Sequence, residues 1–465
     1  MRRGLPLFLI ASVLVVAGLS GAFEIRAQTQ MPRINFRERT LKNGLRVLSV
    51  VDQSSPTVAI NVWYHVGSKD DPDHRSGFAH LFEHIMFKST RNMKAEMMDR
   101  LTEDVGGNNN AFTEDDVTVY YEVIPSNYLE TLLWAEADRL SGLTVDEENF
   151  KSERAVVEEE YRQSILAPPY GKFFYMLQQK SFSSHPYQRP TIGSIEDLDA
   201  STLENVQKFH ATYYRPDNAT LIVVGDFDPK QLDAWVDKYF GPIEKPNLPL
   251  PRVQTKEAER AGEKRFTEYG ANVPLPGVGI TYLVPSEKSE DAPVLTMLDV
   301  ILSQGRSSRL YQSLIYQQQV AQSANANADL KEDAGLFELT AIVAAGKKPE
   351  DAEAALRVEI KKLQDGPISA AELEKAKNQI ITTQLRQRET NLGKSQSLGG
   401  ATLLLGDPNR VNTELERLQA VTAADVQRVA KKYFTDQNRY VFFFLPESMR
   451  PASASARVQA KGDVK

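Results

Sequence analysis

Six apolar or alternating stretches along the chain predict strands: TVAINVWYHV (57–66), DVTVYYEVI (116–124), ATLIVVG (219–225), GVGITYLV (277–284), GLFELTAIVA (335–344) and RYVFFFL (439–445). Between them the apolar residues take helical spacing. The helices cluster between strands rather than alternating strictly with them, which predicts α+β layers and not a doubly wound parallel sheet. TVDEENFKSERAVVEEEYRQS (144–164) opens on a capping box, Thr144 with Glu147, and PISAAELEKAKNQIITTQLRQ (367–387) repeats its length, start and pattern. FHATYYRPDNATLIVVGDFDP (209–229) is echoed by VAKKYFTDQNRYVFFFLPES (429–448). Matching segments lie about 220 residues apart, the mark of an internal duplication.

Pro242, Pro246, Pro249 and Pro251 precede a charged run between the halves, and proline fixes φ and removes donors. The expected organisation is therefore a first domain over 35–240, an extended linker over 241–265, a second domain over 266–446 and a disordered tail over 447–465. A length of 465 residues suits two such cores. The net charge of -7, with no long basic run, argues against nucleic acid as a partner. At the start, two arginines precede an apolar run from Leu5 to about Leu19, followed by small residues with Ala22 and Ala27 as candidate cleavage points. That layout predicts a signal peptide over 1–27 and a periplasmic location, with an uncleaved membrane anchor as the alternative. No later segment reaches spanning length. The chain has no cysteine, which excludes disulfides, a thiolate nucleophile and a cysteine metal site.

The chemistry concentrates at HLFEH (80–84). Six histidines in 465 residues produce such a pentad by chance in about half a percent of chains. On a helix, Phe78, Leu81, Phe82 and Ile85 share one arc, while His80, Glu83, His84 and Phe87 share the other. Two imidazoles four apart can grip one metal ion, and Glu83 beside them can take a proton from water. A catalytic zinc usually has three protein ligands, so one must come from elsewhere. Glu153, Val156, Val157 and Glu160 fall at i, i+3, i+4 and i+7 of the next long helix. The competing reading makes Glu158, Glu159 and Glu160 a solvated charge run, and spacing alone leaves the third ligand open.

HLFEH is the inverted zincin motif. With GGNNNAFTEDDVTVYYEVIP (106–125) and ERAVVEEE (153–160), the chain from about Asn35 to Pro446 resembles the pitrilysin/insulinase family of zinc metallopeptidases, in its mitochondrial-processing-peptidase-like branch. The resemblance implies two duplicated domains, each a mainly antiparallel sheet covered by helices, arranged as a half-clamshell. It implies one zinc per chain on His80, His84 and Glu160, with Glu83 as general base and Glu153 supporting the site from behind. It also implies that peptide adds as a strand along a sheet edge at Asn110 and Ala111. The bland alternative for GGNNNAFT is a turn rich in Asn and Gly. His185 and His210 read as structural, and His65 and His74 as flanking residues.

One departure changes the expectation. No histidine follows His210, so the second half carries no metal motif. Where complete family members carry an arginine and, seven residues later, a tyrosine that hold the substrate, this chain has Ile315 and Gln322 on a segment, 305–324, that reads as a helix. Arg309 and Tyr316 have the right spacing but sit one turn early. The resemblance thus implies an exported zinc endopeptidase subunit for extended peptides, with a paralogous chain supplying the pair; a homodimer is the alternative assembly. The rival is a non-catalytic scaffold or binding subunit.

Overall fold

The structure, a computed structural model, describes residues 32–451; the expected signal peptide and residues 452–465 lie outside the described residues. The apolar stretches become the inner strands of two sheets. The first contains β1 (Arg37–Thr40), β2 (Arg46–Val51), β3 (Thr57–Tyr64), β4 (Asn108–Thr113), β5 (Thr118–Pro125) and β6 (Ala219–Gly225). The second contains β7 (Lys264–Gly270), β8 (Gly277–Val284), β9 (Ala321–Asp329), β10 (Gly335–Val343) and β11 (Arg439–Pro446). Strand order is β1-β2-β6-β3-β5-β4 in one and β7-β11-β8-β10-β9 in the other. Among the described residues only the β2–β6 and β7–β11 pairs are parallel. Leaving β1 aside, the two orders are the same. Thr57 and Gly277, which open β3 and β8, are 220 residues apart, as are Ala219 and Arg439, which open β6 and β11.

Each sheet buries one face under its own helices and the other under a helix lent by the opposite half. Helix Asn391–Leu403 brings Leu398, Ala401 and Leu403 onto Leu48, Trp63, Val119 and Ile222 of the first sheet. Its polar positions are clipped there: Asn61 Nδ2 donates to Ser395 Oγ at 2.9 Å, Asn391 Nδ2 donates to Thr57 O at 3.1 Å, and Lys394 pairs with Asp52. Reciprocally, helix Gly171–Ser181 lays Phe173, Met176 and Leu177 onto Tyr440, Phe442 and Phe444 of the second sheet. With both faces buried, every residue of β6 is buried, and its run 221–224 is apolar rather than alternating.

The proline-rich connection is extended, and its charged residues act as clips. Arg252 Nη1 donates to His65 O at 2.7 Å, and Arg260 Nη2 to Ser181 O at 2.8 Å. Glu257 accepts the backbone N–H groups of Ser183, Ser184 and His185. The expected linker end at 265 is too late, because β7 starts at Lys264, held by its parallel partner β11. The expected tail start at 447 is too early: Glu447–Met449 forms a 3₁₀ turn closed by the Arg450–Glu447 pair. The helix expected over 305–324 is confined to 309–317. A π-helical turn over Tyr311–Gln317 ends it, Gln319 takes φ +52, and the chain continues as edge strand β9. The polar pattern Ala-Gln-Ser-Ala-Asn-Ala-Asn has period two as well as helical spacing, and pairing with β10 decides it.

Candidate metal centre

Helix Phe78–Ile85 carries the HLFEH pentad, with Phe78, Ala79, Leu81, Phe82 and Ile85 buried. Gly77 precedes it at φ +94, with Ile192 O only 2.9 Å from where a Cβ would stand, so no other residue fits there. The helix start is capped from a distance: Asp71 accepts the Gly77 N–H at 2.7 Å and the Ala79 N–H at 2.9 Å. These buried contacts fix the direction in which His80, Glu83 and His84 leave the core.

Helix Glu147–Tyr161 runs past that exposed arc. Its N-cap is Asp146, which accepts from Asn149 N at 2.8 Å, and not the expected Thr144. Phe150, Glu153 and Val157 are buried, whereas Val156 is 46% exposed, so one valine rather than two shares the carboxylate face. Glu160 Oε2 lies 3.7 Å from His80 Nε2 and 3.5 Å from His84 Nε2. Two donors on a tetrahedral zinc, each about 2.1 Å from it, stand about 3.4 Å apart. The three ligand atoms all lie within 4.8 Å of one another, and among the described residues no other group of three or more histidine or acidic side chains converges in this way. Two imidazoles and one carboxylate are a donor set that suits zinc. Glu158 and Glu159, the other candidates in the acidic run, instead pair with Arg162.

The electrostatics also favour a cation. Burial, and then the neighbouring His84, pull His80 down to about 4, so its ring is neutral, the form in which an imidazole ligates a metal. Burial alone would lower His84, but hydrogen bonding to Glu153 and Glu160 overrides this and raises it to about 9. The two carboxylates thus draw positive charge to this point. Glu153 Oε2 lies 3.8 Å from His84 Nδ1, and Lys88 Nζ grips Glu153 Oε1 at 2.8 Å. A carboxylate behind a ligating imidazole orients the ring and raises its basicity.

Burial raises the Glu83 carboxyl above the ordinary carboxylate range, and Thr113 Oγ1 donates to its Oε2 at 2.5 Å. Glu83, His84, Phe87, Lys88, Asn109, Asn110 and Glu153 line a cleft of about 410 Å³. Asn110 and Ala111 sit on β4, the last strand of its sheet, with Asn110 exposed. The remaining histidines stand apart. His65 Nε2 is 2.8 Å from Glu332, and His185 Nε2 is 3.4 Å from Asp333. His210 packs against both Phe82 and Tyr214, and His74 is exposed. In the second half, Ile315 packs against the core and Gln322 is exposed on β9. Arg309 donates from Nε and Nη2 to the two carboxylate oxygens of Glu372, at 2.7 and 2.8 Å.

The sequence reading missed Thr113, Lys88 and Asp71. Lys88 had a visible signal, four residues beyond His84 on the motif face. Thr113 and Asp71 had none, because both act across the turn of the chain.

Comparison with known proteins supplies the remaining facts. Residues 46–194 match the family model described as Insulinase (Peptidase family M16), and residues 200–380 match Peptidase M16 inactive domain. The zinc protease PqqE of Helicobacter pylori is 32% identical over 448 residues, covering 94% of this chain and 98% of that protein. The probable mitochondrial-processing peptidase subunit beta of Arabidopsis thaliana is 24% identical, over 86% of this chain and 77% of that protein. A crystal structure of a protease from Helicobacter pylori superposes with a TM-score of 0.85 at 29% identity, covering 89% of this chain and all of that one.

Proposed function

The chain belongs to the insulinase family of peptidases, family M16, and on that premise we propose that it is an exported zinc-dependent endopeptidase subunit that cleaves extended peptides. The observation that carries the reading is the convergence of His80, His84 and Glu160 on one point with Glu83 beside them. His80, His84 and Glu160 would hold zinc, which would supply a Lewis acid able to acidify water and polarise a peptide carbonyl. Glu83 then receives the proton of the attacking water and delivers it to the leaving amine, a role suited to a carboxyl that burial has moved toward neutrality. Glu153, anchored by Lys88, keeps the His84 ring in place. A peptide lying along β4 beside Asn110 and Ala111 passes the cleft as an added strand, which demands an unfolded segment.

Export is supported by the two arginines and apolar run at the start of the chain. Among the described residues no helix is long and apolar enough to cross a membrane. A paralogous partner supplies the arginine and tyrosine that grip the substrate, because a second copy of this chain would bring Ile315 and Gln322 again. Ile315 has no donor, and Arg309 is committed to Glu372, which supports that reading. The test is zinc analysis with cleavage of an unstructured fluorogenic peptide, by the chain alone and with a paralogue. Glu83→Gln is expected to retain the metal and lose turnover. Cleavage by Glu83→Gln at the wild-type rate overturns the mechanism. Zinc-loaded protein inactive with every partner leaves the scaffold reading in its place.

A further inference from the structure

The base Glu83 has one hydrogen-bonding side chain in contact with it, and that contact belongs to a different element. Thr113 Oγ1 donates to Glu83 Oε2 at 2.5 Å from the last residue of β4. The turn that follows is pinned from several sides. The Ser68 N–H donates to Glu114 O at 3.1 Å and the Lys69 N–H to Asp115 O at 3.0 Å. The other clamps come from the hairpin between β9 and β10 in the second half. Lys331 Nζ, 8% exposed, donates to Asp115 Oδ2 at 2.7 Å, and the Glu332 N–H donates to Asp116 Oδ2 at 3.0 Å. Lys69 Nζ ties Asp116, Glu332 and Asp333 together at 2.8, 2.8 and 3.1 Å. Tyr187 completes the socket, donating to Asp116 Oδ1 at 2.6 Å and accepting the Asp333 N–H at 3.1 Å. Every acidic group in the socket named here is therefore paired, so the cluster is a joint rather than a cation site.

We propose that Thr113 is the positioning residue of Glu83, and that the hairpin Leu330–Asp333 of the half without a metal motif holds Thr113 in place. This rests on the reading of Glu83 as general base. A glutamate has three rotatable bonds, and a single donor that fixes its carboxylate removes orientations that face away from the substrate. The strand that carries Thr113 also carries Asn110 and Ala111, so a peptide added to β4 stiffens the segment that aims the base. The second half thereby acts on the reaction without touching substrate.

The experiment uses the full chain with its partner if one is needed for turnover. Thr113→Val keeps the shape and removes the donor, and Thr113→Ser restores it. Thr113→Val is expected to lower kcat about tenfold to a hundredfold, with KM and zinc content unchanged, as loss of a hydrogen bond to a charged group predicts. Thr113→Ser is expected to recover most of the rate. Crystal structures give a readout independent of turnover: the Glu83 carboxylate should leave its position in Thr113→Val and keep it in Thr113→Ser. An unmoved Glu83, or an unchanged kcat, in Thr113→Val overturns the proposal. The double variant Lys331→Met with Asp115→Asn removes both charges of this buried pair together and leaves Asp329, the other partner of Lys331, partly exposed to solvent. It should lower kcat and add little to Thr113→Val; full additivity removes the hairpin from the proposal. If Glu83→Gln retains full activity, the general-base reading has failed instead, and the two failures are distinguished.

Discussion

Two adjacent glycines in helix Asn391–Leu403 should respond oppositely to the same substitution. A methyl group built at Gly399 falls 2.1 Å from Trp63 Cε2 and 2.5 Å from Nε1, while one built at Gly400 meets nothing within 4 Å. In an open helical position glycine to alanine contributes about 0.5–1 kcal/mol of stability. Overpacking a tight core contact costs about 1–3 kcal/mol, because Trp63 is 4% exposed and is packed under Leu398 and Ala401. Gly400→Ala should therefore stabilise by about 0.5–1 kcal/mol, and Gly399→Ala should destabilise by about 1–2 kcal/mol. With a urea slope of about 3 kcal/mol/M, the Gly399→Ala midpoint falls by about half a molar and the Gly400→Ala midpoint rises by about a quarter. The assay is urea unfolding followed by tryptophan fluorescence and far-ultraviolet circular dichroism. The contrast depends on a helix from the second half sealing the sheet of the first. Equal stabilisation by both substitutions would mean that the helix does not lie on Trp63, and the reciprocal exchange of helices would have to be abandoned.

Glu160→Gln should weaken zinc severely, while Glu153→Gln should weaken it about tenfold to a hundredfold, as loss of the group behind a ligand does; competition with a chromogenic chelator measures both. His210 is half-buried, with its Nε2 shut off from solvent and unpartnered, and that desolvation holds it down to about 4, against 6.5 when exposed, so between those values the unfolded chain binds the extra proton. Stability should therefore fall as pH drops from 6.5 to 4, by at most about 1.4 kcal/mol per pH unit from this group, and His210→Phe should flatten that part of the curve in urea titrations. Ile315→Arg with Gln322→Tyr should raise turnover by the isolated chain if those positions face substrate, and a fluorogenic peptide assay that shows no gain places the grip elsewhere.

The chemistry was legible where it follows a period. His80, Glu83 and His84 share a face because a helix returns every 3.6 residues, and the alternating or apolar stretches became β3, β5, β6, β8, β10 and β11 for the same local reason. The 220-residue repeat likewise foretold two sheets of one strand order. The polar strands β4, β7 and β9 were not legible as strands. NNNAFT, KRFTEYG and AQSANANAD carry little β signal of their own, and backbone pairing with β5, β11 and β10 makes them strands. The capping box at Thr144 failed because Asp146, two residues later, satisfies the same orphan N–H groups.

Contacts between distant parts of the chain carry no period, and there the tertiary structure decided. Among the acidic residues of 153–160, only the crossing of two helices singles out Glu160 Oε2 as equidistant from both imidazoles within 0.2 Å, at 3.7 and 3.5 Å. Arg309 and Tyr316 have the spacing of a substrate grip but sit one turn early, and only the fold shows where Arg309 goes instead, to Glu372, 63 residues away. Asn391 and Thr57 meet across 334 residues, and Lys331 reaches Asp115 across 216. Residue type and local spacing therefore determined which chemistry this protein carries. How its base is aimed, and which half seals which core, depend on packing and desolvation between segments whose meeting no local pattern encodes.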